Sequence, residues 1–538
     1  MKRRLFLISF CLLFASSLFG ADNRKLDNKI KERITKGRKT EKVRVIVQRF
    51  TPASKADFDD VRGKGGKVGR ELKRLRAYVA EMTLDQIEKM SDNPNVKNIS
   101  LDEPVRAHAG EFNVASGAAL ATQTYGVTGA GIGVAIVDSG IASHPDLQNV
   151  VKSVDFVDPA RNGGYDGFGH GTHVAGIVGG SGSSSGGTYK GAAPGVKLVD
   201  LRVLNDNGGG YTSDVMAAIE WAVDNRNNPG NNGQPMNIRV INLSLGHRPY
   251  ESTATDPLTV MSRYAVQNGV VVVAAAGNYG KDVNGNTTYG GITSPGNERS
   301  VITVGAMTTW GTDSRSDDTV ATYSSRGPTV IEGLMKPDVV APGSQVVAAL
   351  SPNSAIANAY PQLKVGSSYL KLSGTSMAAP VVSGAVAMML QQNPSMTPNA
   401  VKAALMFTAE QRTELPVARG AGYVNIAGAV NLAANINTAA PAGQYWILNA
   451  GLGLNYSNVI GGFPATWSQT IVWEEALSAG NPIFYNEGAW SQTYIWGTGS
   501  TSTATTIVWE TSLADLTNGV LGQTIVWEEA LTIVWEEP

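Results

Sequence analysis

Three short segments of this 538-residue chain hold the residue types of covalent acyl chemistry. Val134-Ala135-Ile136-Val137-Asp138-Ser139-Gly140 is an apolar run that ends in a carboxylate. Gly169-His170-Gly171-Thr172-His173-Val174-Ala175-Gly176 places an imidazole between glycines at a helix start, and Gly374-Thr375-Ser376-Met377-Ala378-Ala379-Pro380 places a hydroxyl at another. A serine hydroxyl is a weak nucleophile at neutral pH and needs a base to take its proton as it attacks a carbonyl. His170 suits that base, and a carboxylate such as Asp138 suits the group that orients the imidazole and stabilises its cation. A carboxylate at the tip of a buried strand is costly unless paired, and His170 supplies the pairing. Taken singly the three residues read as a capping Asp, a surface His and a capping Ser. His173, three residues after His170, suggests a metal pair, but no Cys or Glu stands at ligand spacing and it reads as structural.

The order Asp, His, Ser, with each residue on its own motif, resembles the subtilases, the subtilisin-like serine proteases. The resemblance covers residues 109–435 well and 43–108 more loosely. It implies a catalytic triad of Asp138, His170 and Ser376. Ala274-Ala275-Ala276-Gly277-Asn278 is similar to the family segment whose Asn side chain stabilises the oxyanion, together with the backbone N–H of Ser376. Ser244, Leu245 and Gly246 resemble the strand that pairs with substrate backbone, and Gly208, Gly209 and Gly210 the opposite rim, with Ala276 and Gly277 walling the primary pocket. No charge is supplied there, which predicts a broad, apolar-leaning preference; Tyr279 after Asn278 predicts narrowed access. No cofactor is required for the chemistry. His144-Pro145-Asp146-Leu147 is similar to a family segment in which the Asp ligates structural calcium, so Asp146 is expected as a calcium ligand or, equally, as a turn or cap residue. Calcium takes six to eight oxygens, and Asp146 is the one the sequence offers.

The elements that must position these groups are legible as alternating runs. Val134–Val137, Val199–Leu204, Val240–Leu245, Val270–Ala276 and Val301–Val304 read as strands buried on both faces, and Ser213–Val223 and Ser376–Gln391 as helices between them. That alternation predicts an α/β fold with a doubly wound, mostly parallel sheet. The expected organisation is a signal peptide at 1–21, a pro-region at 22–108 whose folded α+β part is 43–108, a subtilisin-like catalytic domain at 109–435, and a Trp-rich tail at 436–538, β-rich or partly disordered. The signal is a basic start at Lys2-Arg3-Arg4, an apolar run from Leu5 to Phe14 and small residues after it. No stretch reaches the ~18 apolar residues of a membrane helix. The single Cys11 lies in that leader, so an exported chain has no disulfide. In the pro-region, Val43 to Gln48 reads as a strand, Thr83-Leu84-Asp85-Gln86 as a capping box, and Val96 to Leu101 as a strand.

The net charge of −1 argues against a nucleic-acid partner for the whole chain. It is the sum of two unlike parts. Residues 1–108 hold 25 Lys+Arg and 14 Asp+Glu, and residues 109–538 hold 19 and 31. Opposite charges favour fast, oriented association. The family resemblance implies a pro-region that assists folding, inhibits transiently and is cut away, near His108-Ala109-Gly110. The competing reading is a basic N-terminal domain that stays attached as a binding module. Eight of ten tryptophans fall at or after Trp446, and Trp467–Trp473 and Trp490–Trp496 share W-S-Q-T-x-x-W. Three readings stand for this tail: a small β-domain with Trp in its core, a carbohydrate or surface binder, or repeats removed in maturation. The expected function is a secreted serine endopeptidase, extracellular or attached to the cell surface, acting on proteins or peptides. The rivals are a non-catalytic binding protein on a protease scaffold and an exopeptidase.

Overall fold

The computed structural model describes residues 23–102, 104–107, 116–161, 163–310, 312, 315–440, 447, 454–473 and 476–479. The leader expected at 1–21 and the Trp repeats beyond 479 lie outside these residues. The chain divides into two compact units, Met1–Leu101 and Asp102–Pro538.

The first unit is a four-stranded antiparallel sheet in the order Lys67–Leu72, Ala77–Thr83, Lys42–Arg49, Val96–Leu101. Its core gathers Ile30, Val45, Val47, Val61, Tyr78, Leu84 and Ile87. The helix Leu84–Ser91 starts where the sequence predicts. Thr83 Oγ1 accepts the N–H of Gln86, and the Gln86 side chain accepts the N–H of Thr83, so two orphan donors are satisfied reciprocally.

The second unit is built on an eight-stranded sheet. Seven strands run in the order Thr319–Val320, Ile302–Thr308, Val271–Ala275, Ile238–Leu243, Gly133–Asp138, Lys197–Arg202 and Val150–Asp155, and Val339–Pro342 also pairs with Ile302–Thr308. Every pairing is parallel except that of Thr319–Val320. The unbroken apolar runs follow from burial on both faces: Gly133–Asp138 and Val271–Ala275 are buried throughout. The sheet is the doubly wound, mostly parallel one expected. From Gly133–Asp138 the chain goes out to Val150–Asp155, returns to Lys197–Arg202, then crosses to Ile238–Leu243 and continues outward on the other side. Gly133–Asp138 therefore stands where the winding direction reverses, and open α/β sheets bind ligands beyond the carboxyl ends of strands at that place. Asp138 is its last residue.

Two helices are core elements on every face. All ten residues of His170–Gly179 are buried, as are Thr375 to Leu390 of the helix Thr375–Gln392, and the two pack together. The strand pair Ser457–Ile460 and Phe463–Thr466 leads into the same core through Trp467. The Trp467 ring is buried edge-on against Phe407 and Tyr456, and its Nε1–H donates to Asn458 Oδ1 at 2.7 Å. Ser468 N–H, Ser468 Oγ–H and Gln469 N–H donate to the carbonyls of Ala409, Met406 and Phe407. These carbonyls end or follow the helix Pro398–Thr408, past the reach of its i+4 donors; Met406 O also accepts Ala409 N–H. Among the described residues no helix is long and apolar enough to cross a membrane.

Candidate active site

The strand Gly133–Asp138 delivers Asp138 at its carboxyl end to the start of the His170 helix. Asp138 is fully buried and His170 Nδ1 lies 2.8 and 3.0 Å from its two oxygens. An ionised carboxylate only accepts, so Nδ1 carries the proton and Nε2 is the basic nitrogen. Ser139 N–H also donates to Asp138 Oδ1, at 2.7 Å. The glycine after the histidine is a steric requirement: a Cβ on Gly171 would run into the carbonyl of Gly140.

Ser376 lies in the first turn of its helix, where backbone N–H groups have no helical acceptor and the helix end is positive. Its Oγ–H donates to Ser244 O at 3.1 Å, while Ser244 Oγ–H donates to Ser376 O at 2.7 Å. This reciprocal pair ties the helix start to the end of Ile238–Leu243. Asn278 is aimed by Thr375: its Oδ1 accepts the Thr375 backbone N–H at 2.9 Å and hydroxyl at 3.2 Å. Thr375 Oγ1 itself accepts Gly277 N–H at 3.0 Å. With the amide oxygen so engaged, the Nδ2 hydrogens are the free end for binding negative charge.

The two expected substrate rims are both strands. Gly209–Tyr211 and Leu245–Gly246 flank a strand of the same unit, Pro104–Ala107, each antiparallel to it. Val105 stands opposite Gly210, Arg106 opposite Gly209 and Gly246, and Ala107 opposite Leu245. Gly208 precedes the first rim in a turn, donating its N–H to Asn205 O. A Cβ on Gly246 would meet the Ser294 carbonyl, so only glycine lets the second rim lie this close. Ala276 and Gly277 follow Val271–Ala275, and Ala276 O accepts Thr293 N–H. Just before the inserted strand, buried Asp102 accepts Ser213 N–H at 2.8 Å and Ser213 Oγ–H at 2.7 Å, capping the helix Thr212–Asp224.

Residues 129–424 match the model of the Subtilase family. The chain belongs to that family. It is 39% identical over 367 residues to serine protease AprX of Bacillus subtilis (strain 168), an alignment covering 67% of this chain and 80% of that one. It is 34% identical over 354 residues to subtilisin E of the same organism, covering 65% and 80%. In fold it is similar to fervidolysin from Fervidobacterium pennivorans, a keratinolytic enzyme related to subtilisin, with a TM-score of 0.55 at 22% identity. That match takes in 78% of this chain and 63% of the other. The chain is thus a subtilisin-like serine endopeptidase by family.

In this subtilase His173 is a strut. Its Nε2–H is shared between the carbonyls of Leu370 and Val346, and burial pulls its pKa down to about 3, so the ring stays neutral. Asp146 sits where the family resemblance expects calcium, but its oxygens are already used. Oδ1 accepts Ser183 Oγ–H and Ser184 N–H, both at 2.9 Å, and Oδ2 accepts the Tyr369 hydroxyl at 2.7 Å. Burial raises its pKa, and the hydrogen bonds from Tyr369, Ser184 and Ser183 outweigh that and hold it below the usual range. Among the described residues no group of three or more His, Cys, Asp or Glu could hold a metal. The serine turn and Tyr369 hold Asp146 in its place.

Two residues beside the chemistry escape motif reading. Thr375 aims Asn278, a role invisible until two distant segments meet. Asp166, four residues before His170, ties the helix start to the Asp138 strand. An acid just ahead of a helix start is a capping signal that could have flagged it.

Proposed function

We propose that this subtilase is a secreted serine endopeptidase, made as a zymogen that cuts its own pro-region. The observation that carries the reading is the strand Pro104–Ala107, paired on both edges with Gly209–Tyr211 and Leu245–Gly246. A peptide added this way gains main-chain hydrogen bonds whatever its side chains, which suits a protease of broad preference. Protein or peptide substrates take the same seat. The strand ends beside Leu245, one residue from Ser244, whose carbonyl accepts Ser376 Oγ–H.

The proposed roles are these. Ser376 Oγ attacks the scissile carbonyl as His170 Nε2 takes its proton. The C–N bond breaks as His170 returns that proton to the leaving amine, leaving an acyl-enzyme. Water, deprotonated by the same nitrogen, then releases the acid and restores Ser376. Asp138 keeps the proton of the resting ring on Nδ1 and stabilises the imidazolium between the two steps. Asn278 Nδ2–H and Ser376 N–H bind the oxyanion. Asn278→Ala is expected to lower kcat by about 10²–10³ with KM little changed, the size found for an oxyanion-hole donor in subtilisin itself; steady-state kinetics on a chromogenic peptide read it.

The inserted strand also serves as inhibitor before it is cut. Its flank binds through Asp102 at the positive end of Thr212–Asp224, and the opposite charges of residues 1–108 and 109–538 favour the association. The bond cut lies just past Ala107, in His108-Ala109-Gly110, outside the described residues. N-terminal sequencing of the secreted protein tests this. The mature chain is expected to begin within a few residues of Ala109, and the Ser376→Ala chain to keep its pro-region. A mature start well before residue 100, or normal processing of Ser376→Ala, would sink the proposal.

A further inference from the structure

The triad needs two segments held in one register: the end of the Asp138 strand and the first turn of the His170 helix. One buried carboxylate joins them. Asp166 Oδ1 accepts Ser139 Oγ–H at 2.8 Å and Gly169 N–H at 2.7 Å. Its Oδ2 accepts Thr172 N–H at 2.9 Å and Thr172 Oγ–H at 2.7 Å. The two hydroxyls are relays. Ser139 Oγ accepts Gly171 N–H at 2.9 Å, and Thr172 Oγ1 accepts Ala142 N–H at 2.9 Å.

Ser139 and Thr172 each accept a backbone N–H and donate their own hydroxyl hydrogen to Asp166. Four donors converge on its two oxygens, an arrangement that suits the ionised acid. Burial pushes the Asp166 carboxyl above its usual range, and the bonds from Thr172, Gly169 and Ser139 pull against that. Three of the first N–H groups of the His170 helix, on Gly169, Gly171 and Thr172, end directly or through Ser139 on this one anion. It also sets a negative charge at the positive helix end beside His170. On the strand side it holds Ser139, the residue next to Asp138, and through Thr172 it holds Ala142.

We propose that Asp166 is a positioning residue for the protease reaction, fixing His170 and Asp138 in the one register where Nδ1 meets the carboxylate. This rests on the triad reading above. Shifts of about 1 Å in a catalytic group can cost about 10²-fold. In Asp166→Asn one acceptor oxygen becomes an N–H2 facing two donors, while the volume is kept.

The test is steady-state kinetics on mature enzyme counted by titration with a serine-directed inhibitor. For Asp166→Asn, kcat is expected to fall by about 10–100-fold with KM within about twofold of wild type. The acid limb of the kcat/KM profile should move to lower pH, because the imidazolium has lost a nearby negative charge. A merely structural role would lower the melting temperature and leave titrated kcat and the acid limb unmoved; that result overturns the proposal. Thr172→Ser keeps the relay and is expected within about threefold of wild type, while Thr172→Val breaks it and should lose about tenfold. This pair decides the matter if Asp166→Asn does not fold, and equal kcat in the Thr172→Ser and Thr172→Val enzymes would then refute it. Failure of the triad reading looks different: Ser376→Ala would remain active.

Discussion

Replacing Ser376 by alanine is expected to lower kcat on a protein substrate by about 10⁶, the size found for the same replacement in subtilisin, a relative of this chain. No neighbouring hydroxyl can stand in. Thr375 is adjacent, but its Oγ1 accepts Gly277 N–H and donates to Asn278 Oδ1, so it is turned toward Asn278. Ser244 donates its hydroxyl to the Ser376 carbonyl. The proposed substrate rims Gly209–Tyr211 and Leu245–Gly246 are untouched, so KM should change little. The fold should persist, since Ser376 Oγ contributes one bond, to Ser244 O, worth about 1 kcal/mol. Hydrolysis of casein by wild type and variant, side by side, reads the result; equal rates would end the protease reading. Fragment sizes from the wild type separate internal cleavage from trimming at one end.

Asp138→Asn is expected to lower kcat by about 10⁴, the loss found in trypsin, where the same constellation serves. The reason lies in the short contacts. Both Asp138 oxygens are within 3.0 Å of His170 Nδ1 and neither is exposed. An amide in that place sets an N–H2 against Nδ1. The ring can answer only by accepting, which moves its proton to Nε2, the atom that must take a proton from Ser376. The site keeps its shape and loses its base. The imidazolium formed in the reaction would also lack its counter-charge in a buried setting. Binding of a substrate-like inhibitor should be nearly unchanged, so the loss appears in kcat. Activity within tenfold of wild type would show that Asp138 does not control the tautomer.

The two predictions differ from the Asp166 proposal in how they were reachable. Ser376, His170 and Asp138 each sit in a local motif, a glycine-flanked helix start or the tip of an apolar run, and local motifs are written in consecutive residues. Asp166 is close to His170 in sequence, but its partner Ser139 is 27 residues away. Nothing in the motif says that the two meet. Asp146 shows the same limit. Asp146 carries the motif, yet Tyr369, 223 residues on, takes one of its oxygens.

What the sequence determined alone was the order of elements and the family motifs that carry the proposed reacting groups. Strands buried on both faces must be apolar throughout, so Val134–Val137 and Val270–Ala276 announced a parallel sheet. Helix starts need capping and small residues, so Thr83, Gly169 and Gly374 marked them. Tertiary structure alone decided which distant groups satisfy one another. It placed Pro104–Ala107 between two rims more than a hundred residues away, and seated Trp467 on the end of Pro398–Thr408. It also joined Asp166 to the Asp138 strand. The physical reason is that local propensity acts over a few residues, whereas the pairing of buried donors and acceptors is settled only when the chain has closed on itself.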